Sequence, residues 1–573
     1  MSNTVDMTLV HENMEIKDNF IKLMKPQIET YNAEKVRLCC NVLEGEQKQT
    51  LYYETDKAFE QYLCYERADS FVLAIFPYAI RAGLDIVCEA PVTEALLHNL
   101  NVFLVPLLVK YDCRLKRAIK VIAETDSTSF EGKEVGTGVS LGVDSFYTIK
   151  TKLNIEPEAF SLSHLLYTSS KPLKHESEDR KKNAQKVANL LGLPMVLITT
   201  NSRELFEIGH GRGHVFTNLS AVFALQKLFR TYYYSTAYEL TEFTVKNNST
   251  IAGDKYLLLV LQTLNVPGLT FYMSGSGMSR HGKIEEIANW DIAQKNLRVC
   301  LRRPYNCGTS KKCRRTILEM DMIGKLENFR DSFDIDYYNE NKLWYLKESF
   351  IPVIKNWGDA PFMLEVHEHF WKVEPELMKE AEKMALKEIS QEKTKKENRR
   401  QRELMRFDME GKLSELNQLE VEHYLANKPL YFKRLILKPD HDLMKPMHDY
   451  FWEKEPQNME QAKKLLKKEQ LKKENTRRKK LMRYDMEDRL DELDSLEVQS
   501  YLANKATYFE MLIKNPEHKN LKSMHNYFWE KEPELMKQAQ NNLKKDITPM
   551  QAIKKTVKKI LPESIYRKLS RKK

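Results

Sequence analysis

Short apolar segments alternate with segments of helical periodicity between residues 131 and 322. The helical segments include a charged, amphipathic one over about 177–191. Strands separated by helices of this length predict an α/β fold with a parallel, doubly wound sheet. Ligands of such sheets bind at the carboxyl ends of the strands. The predicted strands are 135–139, 159–167, 194–199, 232–236 and 269–273.

Residues 1–130 are predicted to form a separate α+β region. Segments 36–43 and 50–54 have the pattern of a hairpin around 44–47, and apolar residues recur at helical spacing over 92–111. A strand is predicted at 118–123. Because no motif for chemistry occurs in this region, we expect it to act as a lid or a substrate-shaping domain.

Residues 323–548 repeat themselves. The motif ending in Phe-Trp that begins at His367 returns at His448 and His525, and the second and third copies are 77 residues apart. The segment 338–342 resembles a diverged first copy. Each unit combines Lys/Glu-rich and apolar-patterned helical segments, which predicts an all-α array of roughly three repeats that could bind a protein partner.

The last segment, 549–573, is a basic amphipathic stretch. Ile553, Val557, Ile560 and Leu561 share one helical face, and lysines surround it. Such a helix can lie on an anionic membrane surface, which we favour, or it can pack on the last repeat. A basic tail on a soluble sugar- or polymer-modifying enzyme resembles the arrangement found in bacterial surface-polysaccharide synthesis.

Length, charge and composition indicate the number of domains, the kind of partner and the cellular location. A chain of 573 residues needs several domains, and its formal net charge of +10 permits anionic partners. The chain has eight cysteines, a polar N-terminus and no apolar run long enough to span a bilayer. We therefore expect a cytoplasmic protein. Its basic tail would allow a peripheral position at the inner face of the membrane. Basic clusters in the repeats alternate with glutamates and lack nucleic-acid motifs, so solvated helix faces are favoured over nucleic-acid binding.

Candidate chemistry begins at the end of the first predicted strand of the sheet. The turn Ser140-Leu-Gly-Val-Asp-Ser145 joins that strand to a helix, whose free N–H groups suit a phosphate. Gly142 permits a close approach or a positive φ. The alternative is an ordinary strand-to-helix turn, and the six residues alone do not separate the two.

Two further loops follow later strands. The glycine-rich turn 209–218 precedes a helix and contains His210, Arg212 and His214, and 274–283 carries Arg280 and Lys283. Open backbone with cationic side chains at a helix start suits an anion. A solvated surface loop is the alternative in each case.

These motifs together resemble the PP-loop ATP pyrophosphatases. Ser140, Gly142, Asp144 and Ser145 match that family's loop, and Leu141 replaces its first glycine. Cys300, Cys307 and Cys313 resemble three of the four zinc cysteines of the 7-cyano-7-deazaguanine synthase branch, with Ser310 in the fourth position. A serine hydroxyl is a poor zinc ligand, so we favour loss of the metal over completion of the site by another residue.

The resemblance implies ATP and Mg²⁺ as cofactors. It places the ATP phosphates at Ser140, Gly142, Val143, Asp144 and Ser145. Asp144 would hold Mg²⁺, and His214 and Arg280 would offset charge on the leaving pyrophosphate. The expected activity is adenylation of a small molecule or sugar by a ligase- or amidotransferase-like enzyme. The alternative, motivated by Leu141 and Ser310, is a degenerate nucleotide-binding scaffold whose repeats bind a protein.

Overall fold

The computed structural model describes residues 19–111, 115, 117–170, 175–206, 210–245, 253–356 and 361–545. Gly209 and the basic tail 549–573 lie outside the described residues. The strands are β1 (Phe20–Leu23), β2 (Gln27–Thr30), β3 (Lys35–Glu44), β4 (Gln47–Asp56), β5 (Asp85–Cys88), β6 (Val92–Thr93), β7 (Val121–Ile122), β8 (Thr125–Asp126), β9 (Glu134–Gly138), β10 (His164–Ser169), β11 (Met195–Thr200), β12 (Phe229–Ser235) and β13 (Thr270–Ser274).

The helices fall into two groups, those that precede the repeats and those that form them. Those that precede the repeats are α1 (Asp69–Ala82), α2 (Glu94–His98), α3 (Val105–Tyr111), α4 (Val143–Lys152), α5 (His175–Leu191), α6 (Ser202–Leu205), α7 (His210–Ala224), α8 (Leu257–Leu264), α9 (Arg280–Ile287), α10 (Asp291–Asn296) and α11 (Lys311–Met322). A π-helical segment, Asn99–Leu104, joins α2 to α3 within the predicted helix 92–111.

The repeats contain helices only. They are α12 (Ile335–Glu340), α13 (Lys342–Ile354), α14 (Pro361–Val373), α15 (Pro375–Met409), α16 (Gln418–Ala426), α17 (Lys428–Leu437), α18 (Lys445–Lys454), α19 (Pro456–Met486), α20 (Ser495–Ala503), α21 (Lys505–Lys514), α22 (Lys522–Lys531) and α23 (Pro533–Lys545). Within the described ranges, no helix combines the length and the apolar character that crossing a bilayer requires.

One large mixed sheet contains most of the strands. Its order is β13-β12-β9-β10-β11-β4-β3-β1-β5-β7, with β2 beside β3. The five strands β9 to β13 are parallel, as the alternating pattern predicts. The pair β11–β4 is antiparallel, and so is the predicted hairpin β3–β4. The α/β fold with a C-terminal all-helical region is therefore confirmed, but the sheet is not parallel throughout.

Both faces of the sheet are covered. Leu165 and Leu166 are neighbours on β10, and because side chains alternate across a strand they point to opposite faces. Leu166 belongs to the buried cluster that contains α1 and α7, whereas Leu165 belongs to the cluster that contains α4 and α9. Helices on both faces are what a doubly wound parallel sheet requires.

The chain divides into two compact units, Met1–Ser390 and Gln391–Lys573. The strands that precede residue 131 share the sheet of the first unit, and the predicted boundaries at residues 130, 322 and 548 stay predictions. The first helical repeat lies in the first unit, and the other two repeats lie in the second.

The same four side chains contact one another in each of the three repeats. In each repeat a buried tyrosine hydroxyl and a lysine ammonium both contact one aspartate, and the lysine also contacts a glutamate. We call this set the repeat lock. Its members are Asp321, Tyr338, Lys342 and Glu374 in the first repeat; Asp408, Tyr424, Lys428 and Glu455 in the second; and Asp485, Tyr501, Lys505 and Glu532 in the third. The segment 338–342 is thus the first copy, as its sequence predicts.

Candidate functional site

Three chain segments meet at the carboxyl ends of β9, β12 and β13. Strand β9 is the point where the order reverses, because β10 follows it on one side and β12 lies on the other. In open α/β sheets a reversal of this kind leaves a crevice in which ligands bind. The segments at this crevice are the turn that starts α4, Thr236 after β12, and the loop between β13 and α9.

The turn at 140–145 has an unusual backbone. Leu141, not Gly142, adopts the left-handed conformation, with φ of 60°. Gly142 is extended and caps α4, with φ of −82°, so the positive φ considered for it is not observed. The side chain of Leu141 is buried, and its carbonyl accepts a hydrogen bond from the Arg298 N–H at 2.8 Å. Core packing therefore holds a leucine where glycine would be unstrained.

Ser145 closes the turn from inside. Its hydroxyl donates to the Gly138 carbonyl at 2.8 Å and accepts the Ser140 N–H at 3.2 Å. Ser145 is buried, whereas Ser140 is exposed. Ser145 thus shapes the turn, and Ser140 lies on its solvent side at the start of α4.

Asp144 and two cations form the centre of the crevice, which we call the charged cluster. Arg280 Nη1 lies 3.5 Å from Asp144 Oδ2, and Lys283 Nζ lies 3.7 Å from Oδ1. Both cationic side chains are buried, and Lys283 also donates to the Thr236 carbonyl at 2.8 Å. Asp144 Oδ1 is buried and accepts no hydrogen bond from the described residues. The structure therefore brings the predicted Asp144 and Arg280 together.

Two residues of α11 form hydrogen bonds with Arg280. Its Nε donates to Glu319 at 3.0 Å, and its Nη2 donates to the Thr316 hydroxyl at 3.1 Å. Burial disfavours the charged guanidinium, but the carboxylates of Glu319 and Asp144 prevail and raise the pKa of Arg280. Sequence reasoning missed Thr316 and Glu319, although a glutamate within the apolar run Ile317-Leu-Glu-Met320 is the kind of signal that marks a paired, buried charge.

Lys283 has the opposite shift. Burial lowers its pKa and prevails, although Asp144 opposes this effect; the neighbouring Arg280 lowers the pKa further. The loop makes room for this lysine at Gly275, whose φ is 87° and where an added Cβ would lie 2.9 Å from Lys283 Cε. The two cations of the charged cluster thus differ, since Arg280 has strong carboxylate partners and Lys283 has weaker ones.

The second glycine-rich segment is not a loop over most of its length. Helix α7 begins at His210, so His214 lies in its first turns and not in a turn before it. His214 follows β11, two strands along the sheet from β9. The ion pairs of Asp144 and Arg280 run to each other, to Lys283 and to Glu319. The role assigned to His214 stays a prediction.

The cysteine segment forms a compact thiol cluster. The Sγ atoms of Cys300, Cys307 and Cys313 all lie within 4.8 Å of one another, and those of Cys300 and Cys307 are 3.6 Å apart. Among the described residues, no further His, Cys, Asp or Glu joins this group. Ser310 Oγ instead caps α11 by accepting the Cys313 N–H. A closed structural zinc site needs four soft or imidazole ligands, so this donor set does not fit one.

The three thiols differ in acidity. Burial would raise the pKa of Cys307, but hydrogen bonds from the Thr309 side chain and from backbone N–H groups stabilise the thiolate and lower the pKa to about 6. Burial raises the pKa of Cys313 to about 12. At neutral pH the cluster therefore combines a thiolate with at least one thiol.

The first helical repeat lies against the crevice through α14. Glu365 pairs with His281 of α9 at 2.8 Å. The Phe362 ring packs against Tyr238 with centroids 5.6 Å apart, and the Arg315 guanidinium lies 4.3 Å from the Phe362 ring centroid. Because Arg315 is 3.8 Å from Glu319, α14 is connected to the residues that hold Arg280.

Comparison of the chain with protein-family models, with curated proteins and with solved structures yields no match in any of the three. The resemblance to PP-loop enzymes consequently depends on the residues of the crevice and of the thiol cluster alone.

Proposed function

We propose that the crevice binds the phosphates of ATP and that the chain is an AMP- and pyrophosphate-forming enzyme of the PP-loop type. The observation that carries this proposal is the charged cluster of Asp144, Arg280 and Lys283 at the reversal of strand order. Burying Arg280 and Lys283 beside the half-buried Asp144 is costly unless the charges pair or meet a ligand. Arg280 pairs closely with Glu319 at 3.0 Å, but the contacts of both cations with Asp144 are longer, 3.5 and 3.7 Å, which supports a ligand between Asp144 and the cations.

Phosphate binding in this crevice follows from two sources of positive charge. The free N–H groups at the start of α4 favour an anion, and Arg280 and Lys283 add two buried cations. A phosphate near Lys283 would stabilise its ammonium form, which burial now disfavours. We keep His214 as a predicted contributor from α7.

Asp144 suits a magnesium ligand. Its Oδ1 is a buried carboxylate oxygen with no hydrogen bond from the described residues, and Mg²⁺ prefers oxygen ligands. Bound Mg²⁺ would neutralise phosphate charge during transfer. Arg280 and Lys283 pair with Asp144 and orient it, so this chain's part is to hold the carboxylate towards the phosphates.

The proposed reaction is attack of a substrate oxygen on the α-phosphate of ATP with release of pyrophosphate. A nitrogen nucleophile then displaces AMP. Arg280 and Lys283 would stabilise the negative charge that develops on the departing pyrophosphate, which is an electrostatic role of large effect in phosphoryl and nucleotidyl transfer. The substrate class we propose is a small molecule or a sugar, in the setting of surface-polysaccharide synthesis.

A second candidate function is a nucleotide-binding scaffold without turnover. The left-handed Leu141 favours it, because a side chain now replaces a family glycine in the turn. Under this alternative the charged cluster binds ATP, and the repeats bind a protein.

Calorimetric titration with ATP and Mg²⁺ tests the proposal. The full chain should bind, and Asp144→Ala should weaken binding by about tenfold or more, as loss of a charged phosphate- or metal-directed contact does. Asp291→Ala is the matched control, since Asp291 is an exposed aspartate in the first turn of α10. No binding by the wild type, or equal binding by Asp144→Ala, would refute the ATP site. Binding without pyrophosphate release over many acceptors would favour the scaffold.

A further inference from the structure

A chain of three side chains lies at the entrance of the same crevice. Ser279 Oγ is 3.0 Å from His281 Nε2, and His281 Nδ1 is 2.8 Å from Glu365 Oε2. Ser279 precedes α9, His281 lies in the first turn of α9, and Glu365 comes from α14 of the first repeat. We call this set the Ser–His–Glu chain.

The geometry matches the parts that nucleophilic catalysis requires. A weak hydroxyl nucleophile needs a base within hydrogen-bond distance, and the base needs a third group that fixes its orientation. Here the imidazole bridges the two partners through its two different nitrogens. The carboxylate on Nδ1 favours the tautomer whose Nε2 accepts the serine proton.

We propose that Ser279 is a covalent nucleophile towards activated acyl groups such as esters, with His281 as its general base and Glu365 as the residue that positions His281. Ser279 is half-buried, and about a third of the His281 side chain is exposed. A substrate can therefore reach the serine from solvent. This activity goes beyond the proposed adenylation and does not need ATP.

The reaction balances within the three side chains and the substrate. Ser279 Oγ bonds to the acyl carbon while its proton moves to His281 Nε2. The bond from carbon to the leaving oxygen breaks, and the leaving alcohol takes that proton. Water then attacks the acyl-serine, gives a proton to Nε2, and Ser279 Oγ leaves with the proton restored. A helix leaves the first backbone N–H groups of α9 without an intrahelical acceptor, and those of Arg280 and His281 can stabilise the oxyanion in both steps.

A purely structural role for Ser279 is the competing explanation. Its hydroxyl accepts the Gly282 N–H at 3.2 Å and so caps α9. A cap needs only an acceptor oxygen, and asparagine supplies one as well as serine does. Ser279→Asn therefore preserves the cap and removes the nucleophile, which separates the two roles.

A fluorophosphonate probe, which reacts with activated serines, tests the proposal on the full chain. Tryptic peptide mass spectrometry should locate the label on Ser279, with none on Ser279→Asn. His281→Ala should label at least about 100-fold more slowly, because the base is lost. Added imidazole should restore part of the rate in His281→Ala but none in Ser279→Asn.

Two variants of Glu365 test its role in positioning His281. Glu365→Gln should slow labelling by about tenfold, and Glu365→Asp, which keeps the carboxylate, should retain more of the rate. Ser276→Ala is the matched control in the same loop and should label like the wild type. Absence of label in the wild type, equal labelling of Ser279→Asn, or a rate unaffected by His281→Ala would each overturn the proposal. ATP binding by the same variants is a separate measurement, so failure here leaves the proposed ATP site standing.

Discussion

The repeat lock should stabilise each repeat separately, and Asp408→Asn tests this in the second repeat. Asp408 Oδ2 accepts hydrogen bonds from Tyr424 and Lys428, both at 2.7 Å. The tyrosine is fully buried, and the aspartate and lysine side chains are about 15% and 12% exposed. Asparagine keeps the shape and one acceptor but removes the charge. Lys428 then retains only Glu455 as a carboxylate partner.

The expected loss follows from the value of hydrogen bonds to charged groups. Such bonds contribute about 1.5–3 kcal/mol when one partner is shielded from water. Replacing the carboxylate acceptor of both bonds by a neutral amide oxygen should cost about 2 kcal/mol of local stability. At 25 °C this equals about a 30-fold increase in the equilibrium constant for opening the second repeat.

Hydrogen exchange with mass spectrometry measures this opening in the full chain. Peptides from α17 (428–437) should lose about 30-fold in protection in Asp408→Asn, whereas peptides from α21 (505–514) should change much less. Asp485→Asn should give the reverse pattern, because it alters the third lock. Asp449→Asn, at an exposed position of α18, is the control. If Asp408→Asn changed both repeats equally, or neither, the local role of the lock would be refuted.

Four further outcomes are expected. In differential scanning calorimetry Leu141→Gly should be more stable than Leu141→Ala by about 1 kcal/mol, and so melt at a higher temperature, because only glycine is unstrained at a φ of 60°. Both variants should be less stable than the wild type, since a buried leucine is lost. A higher melting temperature for Leu141→Ala than for Leu141→Gly would contradict the left-handed conformation of residue 141. Gly275→Ala should destabilise the fold by about 1–3 kcal/mol in the same assay, because the new Cβ meets Lys283 at a positive φ; an unchanged midpoint would refute the close approach. Iodoacetamide at pH 7 should alkylate Cys307 before Cys313, since the pKa of Cys307 is lowered to about 6 and that of Cys313 is raised to about 12. Mass spectrometry of the cysteine peptides reports the order of alkylation, and faster labelling of Cys313 would contradict this prediction. Burial alone would lower the pKa of Lys428 and of Lys505, but their carboxylate partners prevail and raise both pKa values above 10.5. The two ion pairs therefore contribute fully to stability below pH 10.5, and this contribution is lost as the pH rises through the raised pKa values. Because Asp408→Asn removes one carboxylate partner of Lys428, its urea midpoint should fall less between pH 9 and 11.5 than that of the wild type.

The repeats could be predicted because their pattern recurs. The copies at Tyr424 and Tyr501 match over several residues, and even the diverged segment at Tyr338 retains the tyrosine and lysine of the lock. The aspartate and glutamate that complete each lock lie 16 or more residues away in sequence from the tyrosine. Sequence spacing alone gives no reason to pair them, because the turns between helices decide which side chains meet.

The sheet was only partly predictable for a related reason. Alternating strands and helices indicate parallel pairing within 131–322, and the structure has it. The antiparallel contact between β11 and β4 joins residues almost 150 positions apart, such as Thr199 and Glu54. Local pattern carries no information about such a pairing, so the N-terminal region could not be recognised as part of the same sheet.

The charged cluster shows where motif reasoning works and where it stops. Asp144 and Arg280 were candidates because each follows a strand of one sheet, and neighbouring strand ends converge. The support from Glu319 depends on the packing of α11 against α9, which no motif encodes. In segment 209–218 the glycines indicated a turn before the helix, but α7 already begins at His210.

The first repeat differs from its relatives at the positions that face the crevice. It retains the lock, and Met363 is buried like its equivalent Met444. Phe362, however, corresponds in the second repeat to Leu443, which is 62% exposed, and Glu365 corresponds to Pro446. The third repeat differs again at these two positions, with Asn520 and Ser523, so they vary among all three repeats. In the first repeat their side chains contact Tyr238 and His281, which makes this repeat a wall of the crevice as well as the start of the helical array.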